Sequence, residues 1–230
     1  MTELAGLTWP QAGEFAAAGG MLAVPVGATE QHGPHLPLST DTDVAVALCS
    51  RLAQSRRDVV VAPPVHYGSS GEHQDFAGTL SIGQDALELL LVELCRSASG
   101  TFSRVLLVST HGGNAAVVRR AGRRLRSESR DVLAWIANWP GDAHAGRTET
   151  SLQLALAPGR VRMEHAEPGN RQPIAELMPV LRASSVSAVS ANGVLGDPTG
   201  ASAAEGASLL NGLHQDLLRA VGGWHAEGSR

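Results

Sequence analysis

The sequence predicts an α/β fold, a three-layer α/β/α sandwich around a mostly parallel central sheet. Short aliphatic and β-branched runs alternate with longer runs of helical spacing through the first two-thirds of the chain. The 230 residues are enough for one large domain with a substantial core. Hydrophobic residues make up 43% and charged residues 17%, a globular rather than disordered balance. A single domain over residues 1–230 is therefore expected.

Each element follows from its own local signal. Thr8-Trp9-Pro10 and the residues to 18 read as a short helix with proline near its start, ended by Gly19-Gly20. MLAVPVG, from Met21, is a buried strand. Residues 43–57 place Val44, Ala47, Leu48, Leu52 and Ala53 at helical spacing. Val59-Val60-Val61-Ala62 is a β-branched strand stopped by Pro63-Pro64. Residues 84–97 form a second helix with Leu87, Leu90, Leu91, Leu94 and Cys95 on one side. RVLLVST (104–110) is a strand, followed by a helix over 114–126 and a strand over 131–137. In such sheets ligands bind beyond the carboxyl ends of the strands. The Pro-, Gly- and Ser-rich stretch 161–200 is expected to wrap around that end.

Composition excludes several functions. All 18 basic residues are arginines, so a Schiff-base lysine, a P-loop lysine and kinase chemistry are absent. Net charge is −4 and aromatics are 3%, which argues against nucleic acid as a partner. The N-terminal MTELAGLTWP lacks a basic segment and a long apolar run, so no signal peptide or membrane span is expected and the chain reads as cytoplasmic. Cys49 and Cys95 sit in apolar stretches and read as small buried hydrophobes.

Three polar clusters could carry chemistry. The densest is TEQHGPHLPLSTDTD, in which Glu30 and His32 pair a carboxylate with an imidazole. Each can bind a metal, and Asp41, returning through a Gly- and Pro-rich turn, can bridge two. The second is His111-Gly112-Gly113-Asn114, directly after RVLLVST, with Asn114 placed to cap the next helix. In the third, DAHAGRTETS, Glu149 falls in a helix first turn, where a carboxylate is favoured even without a catalytic role. His144 lies five residues before it and can shuttle a proton. The loop YGSSGEHQDFAGT looks like a site wall, with His73 a weaker ligand candidate. The arginines between 119 and 126 read as a solvated helix face.

TEQHGPHLPLSTD, GEHQDFAGTLSI, STHGGN and HAGRTETS together resemble the creatininase family of metal-dependent amidohydrolases. The resemblance implies an α/β/α fold and two divalent ions per chain (Zn, Fe or Mn). It assigns Glu30, His32, Asp41 and His111 to metal-ligand positions, with Asp41 as the bridge. Creatininase itself has a ligating Glu two residues after the histidine matching His111, where this chain has Gly113. Glu149 is the candidate to take over that role, as both ligand and catalytic group, and His144 the candidate to protonate the leaving nitrogen. EPGNRQPIAELMP and GVLGDPTGASAAEGA are similar to a branch of peptidases acting on a modified ribosomal precursor peptide and releasing its C-terminal Val-Tyr unit. The alternative is action on a small cyclic amide or a formamide. The resemblance also implies a homo-oligomer. Trp135, Trp139, Tyr67 and Phe76 are the aromatics expected near the site.

Overall fold

The computed structural model describes residues 3–227; Met1 and Thr2 of the N-terminal stretch lie outside it. In chain order the elements are α1 (Trp9–Ala17), β1 (Met21–Val26), α2 (Thr40–Ser55), β2 (Val59–Val61), α3 (Gly83–Ala98) and β3 (Arg104–Ser109). These are followed by α4 (Ala115–Ser127), β4 (Asp131–Ile136), α5 (Arg147–Leu156), α6 (Ile174–Ala183) and α7 (Ala203–Glu227). The four strands form one parallel sheet in the order β2-β1-β3-β4.

Side chains alternate across a strand, and here both faces are buried. Leu22, Val24 and Val26 of β1, with Val105 and Leu107 of β3, pack on α3 and α4 through Leu87, Leu91, Val117 and Leu125. Met21 and Ala23, with Leu106 and Val108, face α2, α5 and α7 through Leu48, Leu52, Leu152, Leu210 and Leu217. That is the expected three-layer sandwich, and it explains why the strands read as continuous apolar runs. Both cysteines are buried, Cys95 on the first side and Cys49 on the second.

Three details differ from the sequence reading. Only Leu87, Leu91 and Cys95 of the expected α3 stripe are buried; Leu90 and Leu94 point outward, because the stripe turns with Val92 instead. Helix α2 begins at Thr40, three residues earlier than its apolar spacing suggests, since Asp41 and Asp43 suit a helix first turn. Helix α7, which had no separate signal, is long and lies against α5. Gly206 makes that approach possible, since a Cβ there would stand 1.8 Å from the Ser151 carbonyl oxygen. Among the described residues no helix is long and apolar enough to cross a membrane.

Candidate metal centre

The β1–β3 register pairs Val26 with Ser109, so the two strands end side by side and deliver their following loops to one place. The β1 loop is held by Glu30 N–H donating to Leu38 O at 3.0 Å and Gln31 N–H to Thr79 Oγ1 at 3.1 Å. Thr110 Oγ1 donates to the Asp41 carbonyl at 2.7 Å, tying the start of α2 to the end of β3. Asn114 stands at the N-cap position of α4, but its side chain makes no cap bond. Its Oδ1 accepts from Ser69 N–H at 2.9 Å and its Nδ2 donates to Gly27 O at 2.9 Å, so its amide is used in pinning two loops together. Ala145 adopts a left-handed backbone, φ 52°, a rare conformation for a residue with a Cβ. It thereby aims its N–H at Glu149 Oε2, 2.6 Å away.

These loops bring the expected residues together. Glu30, Asp41 and His111 offer ligand atoms within 4.8 Å of one another, as do His32, His144 and Glu149. Asp41 links the two groups: Oδ1 lies 3.7 Å from His32 Nε2 and Oδ2 lies 3.4 Å from His111 Nδ1. His32 Nε2 also lies 3.8 Å from Glu149 Oε2, and His111 Nε2 lies 3.1 Å from Glu30 Oε2. All six side chains are buried.

The electrostatics follow from that burial. Burial lifts the Glu30 carboxyl to about 8, against the pull of His111. Burial would depress His32, yet Asp41, Glu149 and Glu30 outweigh it and push the imidazole up to about 10. His111 is pushed up to about 9 against burial by Glu30 and Asp41. Asp41, despite burial, is held below its usual range by His32 and His111, and Glu149 is raised by burial. His73 falls to about 3 and His144 well below its usual value, each from burial first and neighbouring imidazoles second.

Both oxygens of Glu30, His32 Nε2 and Asp41 Oδ2 are buried and meet no hydrogen-bond partner. An unmet buried acceptor costs roughly 1–3 kcal/mol, more if charged. A convergent set of them, with mixed carboxylate and imidazole donors, fits a divalent cation.

His73 joins this cluster although its sequence context ranked it low: Nε2 lies 3.4 Å from Glu30 Oε1. Gln31 sets the proton positions. The Gln31 carbonyl oxygen is 2.8 Å from His144 Nε2, which must therefore carry the proton. The Gln31 side-chain amide donates to Gly193 O at 3.0 Å and to His73 Nδ1 at 2.8 Å. His73 thus turns a protonated Nε2 toward Glu30, while His144 keeps Nδ1 free. Nothing in the motif spacing singled out Gln31.

Asp41, His73, His111, His144 and Glu149 of this cluster line a cavity of about 870 Å³. One wall is polar, with Ser69, Glu72 and Gln84; the other is apolar, with Trp139, Ile174, Met178, Leu181 and Leu195. The stretch after 161 therefore does wrap around the site, through α6. Of the four expected aromatics only Trp139 lines the cavity. Trp135 is buried in the core and donates to Asp216, Phe76 packs beside Leu177 and Val186, and Tyr67 is half exposed elsewhere. They were grouped by closeness in sequence to the motifs, which does not fix side-chain direction.

The sequence matches the family model Creatininase (creatinine amidohydrolase) over residues 5–221. The chain belongs to the creatininase family. A curated relative, the mycofactocin precursor peptide peptidase of Mycolicibacterium smegmatis, is 53% identical over 210 residues, covering 86% of this chain and 85% of its own. A solved structure described as creatininase Mn has a TM-score of 0.80 at 26% identity, covering 96% of this chain and 97% of its own. A mutant creatininase of Zn-Zn type superposes with a TM-score of 0.78 at 25% identity, covering 95% and 96%. Against other creatininases the instructive position is Gly113. A Cβ there would stand 2.4 Å from both His111 Nε2 and the Ser69 carbonyl oxygen, so the position leaves no room for a side chain.

Proposed function

We propose that this chain is a metal-dependent peptidase acting on a modified ribosomal precursor peptide, the mycofactocin precursor, and releasing its C-terminal Val-Tyr-derived unit. The observation that carries the reading is the set of buried, unpartnered ligand atoms of Glu30, His32 and Asp41 beside a cavity that Asp41, His111 and Glu149 line. In this reading Glu30, His32, Asp41, His111 and Glu149 would hold two divalent ions (Zn, Fe or Mn), with Asp41 the residue that would serve both. Such ions supply Lewis acidity toward an amide carbonyl and a nucleophile at neutral pH.

The chain's own residues do the rest. His144, with Nε2–H committed to the Gln31 carbonyl, keeps Nδ1 to carry a proton to the leaving nitrogen. Gln31 orients His73, whose Nε2 lies 3.4 Å from Glu30 Oε1. The apolar wall from α6 and Trp139 orients apolar substrate groups and keeps water from the reacting amide. A cavity of about 870 Å³ has room for an extended chain, whereas a single small ring would fill little of it. The names of the 45–53% identical relatives support the same substrate.

We further infer one domain acting in the cytoplasm as a homo-oligomer. The exposed Leu89, Leu90 and Leu94 on the outer face of α3 support contact with a second copy. Mass spectrometry of the purified enzyme with its radical-modified precursor tests the function. A small valine- and tyrosine-derived fragment supports it, and turnover of creatinine without that fragment overturns it.

A further inference from the structure

The geometry points to Glu72 as the group that holds the amine side of the scissile amide; this rests on the amidohydrolase reading above. Four carboxylates line the cavity: Asp41, Glu72, Asp142 and Glu149. Three of them are already engaged. Asp41 lies between His32 and His111. Asp142 Oδ2 accepts from Arg147 N–H at 2.7 Å and Asp197 N–H at 3.1 Å. Glu149 accepts from Ala145 N–H.

Glu72 differs. Its side chain is 32% exposed, and its close charged neighbour is His111 Nε2 at 3.9 Å, beyond hydrogen-bond reach. Room for it there comes from Gly113, since a Cβ on residue 113 would stand 2.7 Å from Glu72 Oε1. No arginine lines the cavity among the described residues, and the chain has no lysine, so apart from the His111 imidazole, itself a candidate metal ligand, the wall offers Glu72 no cation. A carboxylate left at the mouth of a metal-binding cavity, next to a ligand histidine, suits a donor brought by the substrate.

Amide hydrolysis generates that donor. Water adds across the C–N bond, leaving a carboxylate on one fragment and an ammonium on the other. Glu72 accepts the N–H of the intact amide and then pairs with the ammonium that replaces it, a stronger charge-assisted bond. The apolar wall of Trp139, Ile174 and Met178 belongs to the same cavity, so the favoured fragment is an apolar primary amine rather than an apolar acid.

Calorimetric titration of the metal-loaded full chain with phenethylamine, 2-phenylethanol and 3-phenylpropionate tests this. The ammonium should bind most tightly. Glu72→Gln should weaken the ammonium by about tenfold or more, leave the alcohol unchanged and retain the full metal content. Equal ammonium binding in Glu72→Gln overturns the assignment. Loss of metal in that variant also overturns it, because Glu72 is then a ligand. The titration reads Glu72 whether or not any amide is cleaved, so failure of the proposed reaction and failure of this assignment are separate results.

Discussion

The main-chain carbonyl of Gln31 fixes the tautomer of His144: at 2.8 Å from Nε2 it requires a proton there and leaves Nδ1 as the free nitrogen. Nδ1 lies 3.8 Å from Glu30 Oε1, and His144 lines the cavity. A proton carrier and a metal ligand at this position make different demands on a variant.

For a proton carrier, His144→Gln should keep the metal and lose turnover by roughly 10²- to 10⁴-fold. Metal analysis alongside kcat on the precursor peptide checks this. Loss of an ion together with activity would make His144 a ligand.

Glu149 fills the first turn of α5, where a carboxylate is also at home for reasons of helix polarity. Its Oε2 nevertheless lies 3.8 Å from His32 Nε2 and is buried. Glu149→Gln should therefore retain the far-ultraviolet spectrum, bind one ion fewer and lose most turnover. An unchanged metal content would reduce Glu149 to a helix-end carboxylate.

Protons and metal compete for the same atoms. In the metal-free protein His32 and His111 are held above the usual imidazole value, at about 10 and about 9. A raised folded-state pKa stabilises fully below the unfolded value of about 6.5 and ceases to do so as pH rises through the folded value. Between pH 7 and 9.5 the chelated protein should lose stability while its affinity for Zn²⁺ increases. Urea denaturation and competition titrations with a zinc chelator measure the two trends, and a metal affinity that does not change with pH would contradict them.

Much of this was legible in the sequence because it depends on local patterning. Buried parallel strands declare themselves as unbroken apolar runs such as MLAVPV, and the loops after them carried the polar clusters. Glu30, His32 and Asp41 stood out as a dense polar cluster in one Gly- and Pro-rich loop, whereas His111 and Glu149 drew their expected roles from the family resemblance. What stayed hidden depends on contacts between distant segments. Gln31 acts through Gly193 and His73, Asn114 through Gly27 and Ser69, and α6 forms a wall only once the chain has folded back. The aromatic residues misled for the same reason, since Trp135 turns into the core and Trp139 into the cavity.

The α5–α7 contact gives a test of the fold apart from the site. Gly206→Ala places a methyl group against the Ser151 carbonyl, a main-chain atom that cannot move aside cheaply. The variant should lose roughly 1–3 kcal/mol of stability with its metal content intact. A denaturation midpoint equal to that of the wild type would show that α7 does not approach α5 so closely.

We propose Asp41 as the carboxylate that two ions would share, since one of its oxygens lies 3.7 Å from His32 Nε2 and the other 3.4 Å from His111 Nδ1. Anomalous diffraction from crystals of the metal-loaded protein, recorded across the zinc and manganese edges, tests this most directly. The expected result is two peaks, each roughly 2.0–2.2 Å from a different Asp41 oxygen, one beside Glu30 and His111 and the other beside His32 and Glu149. A single peak, or two peaks of which neither touches Asp41, would contradict it.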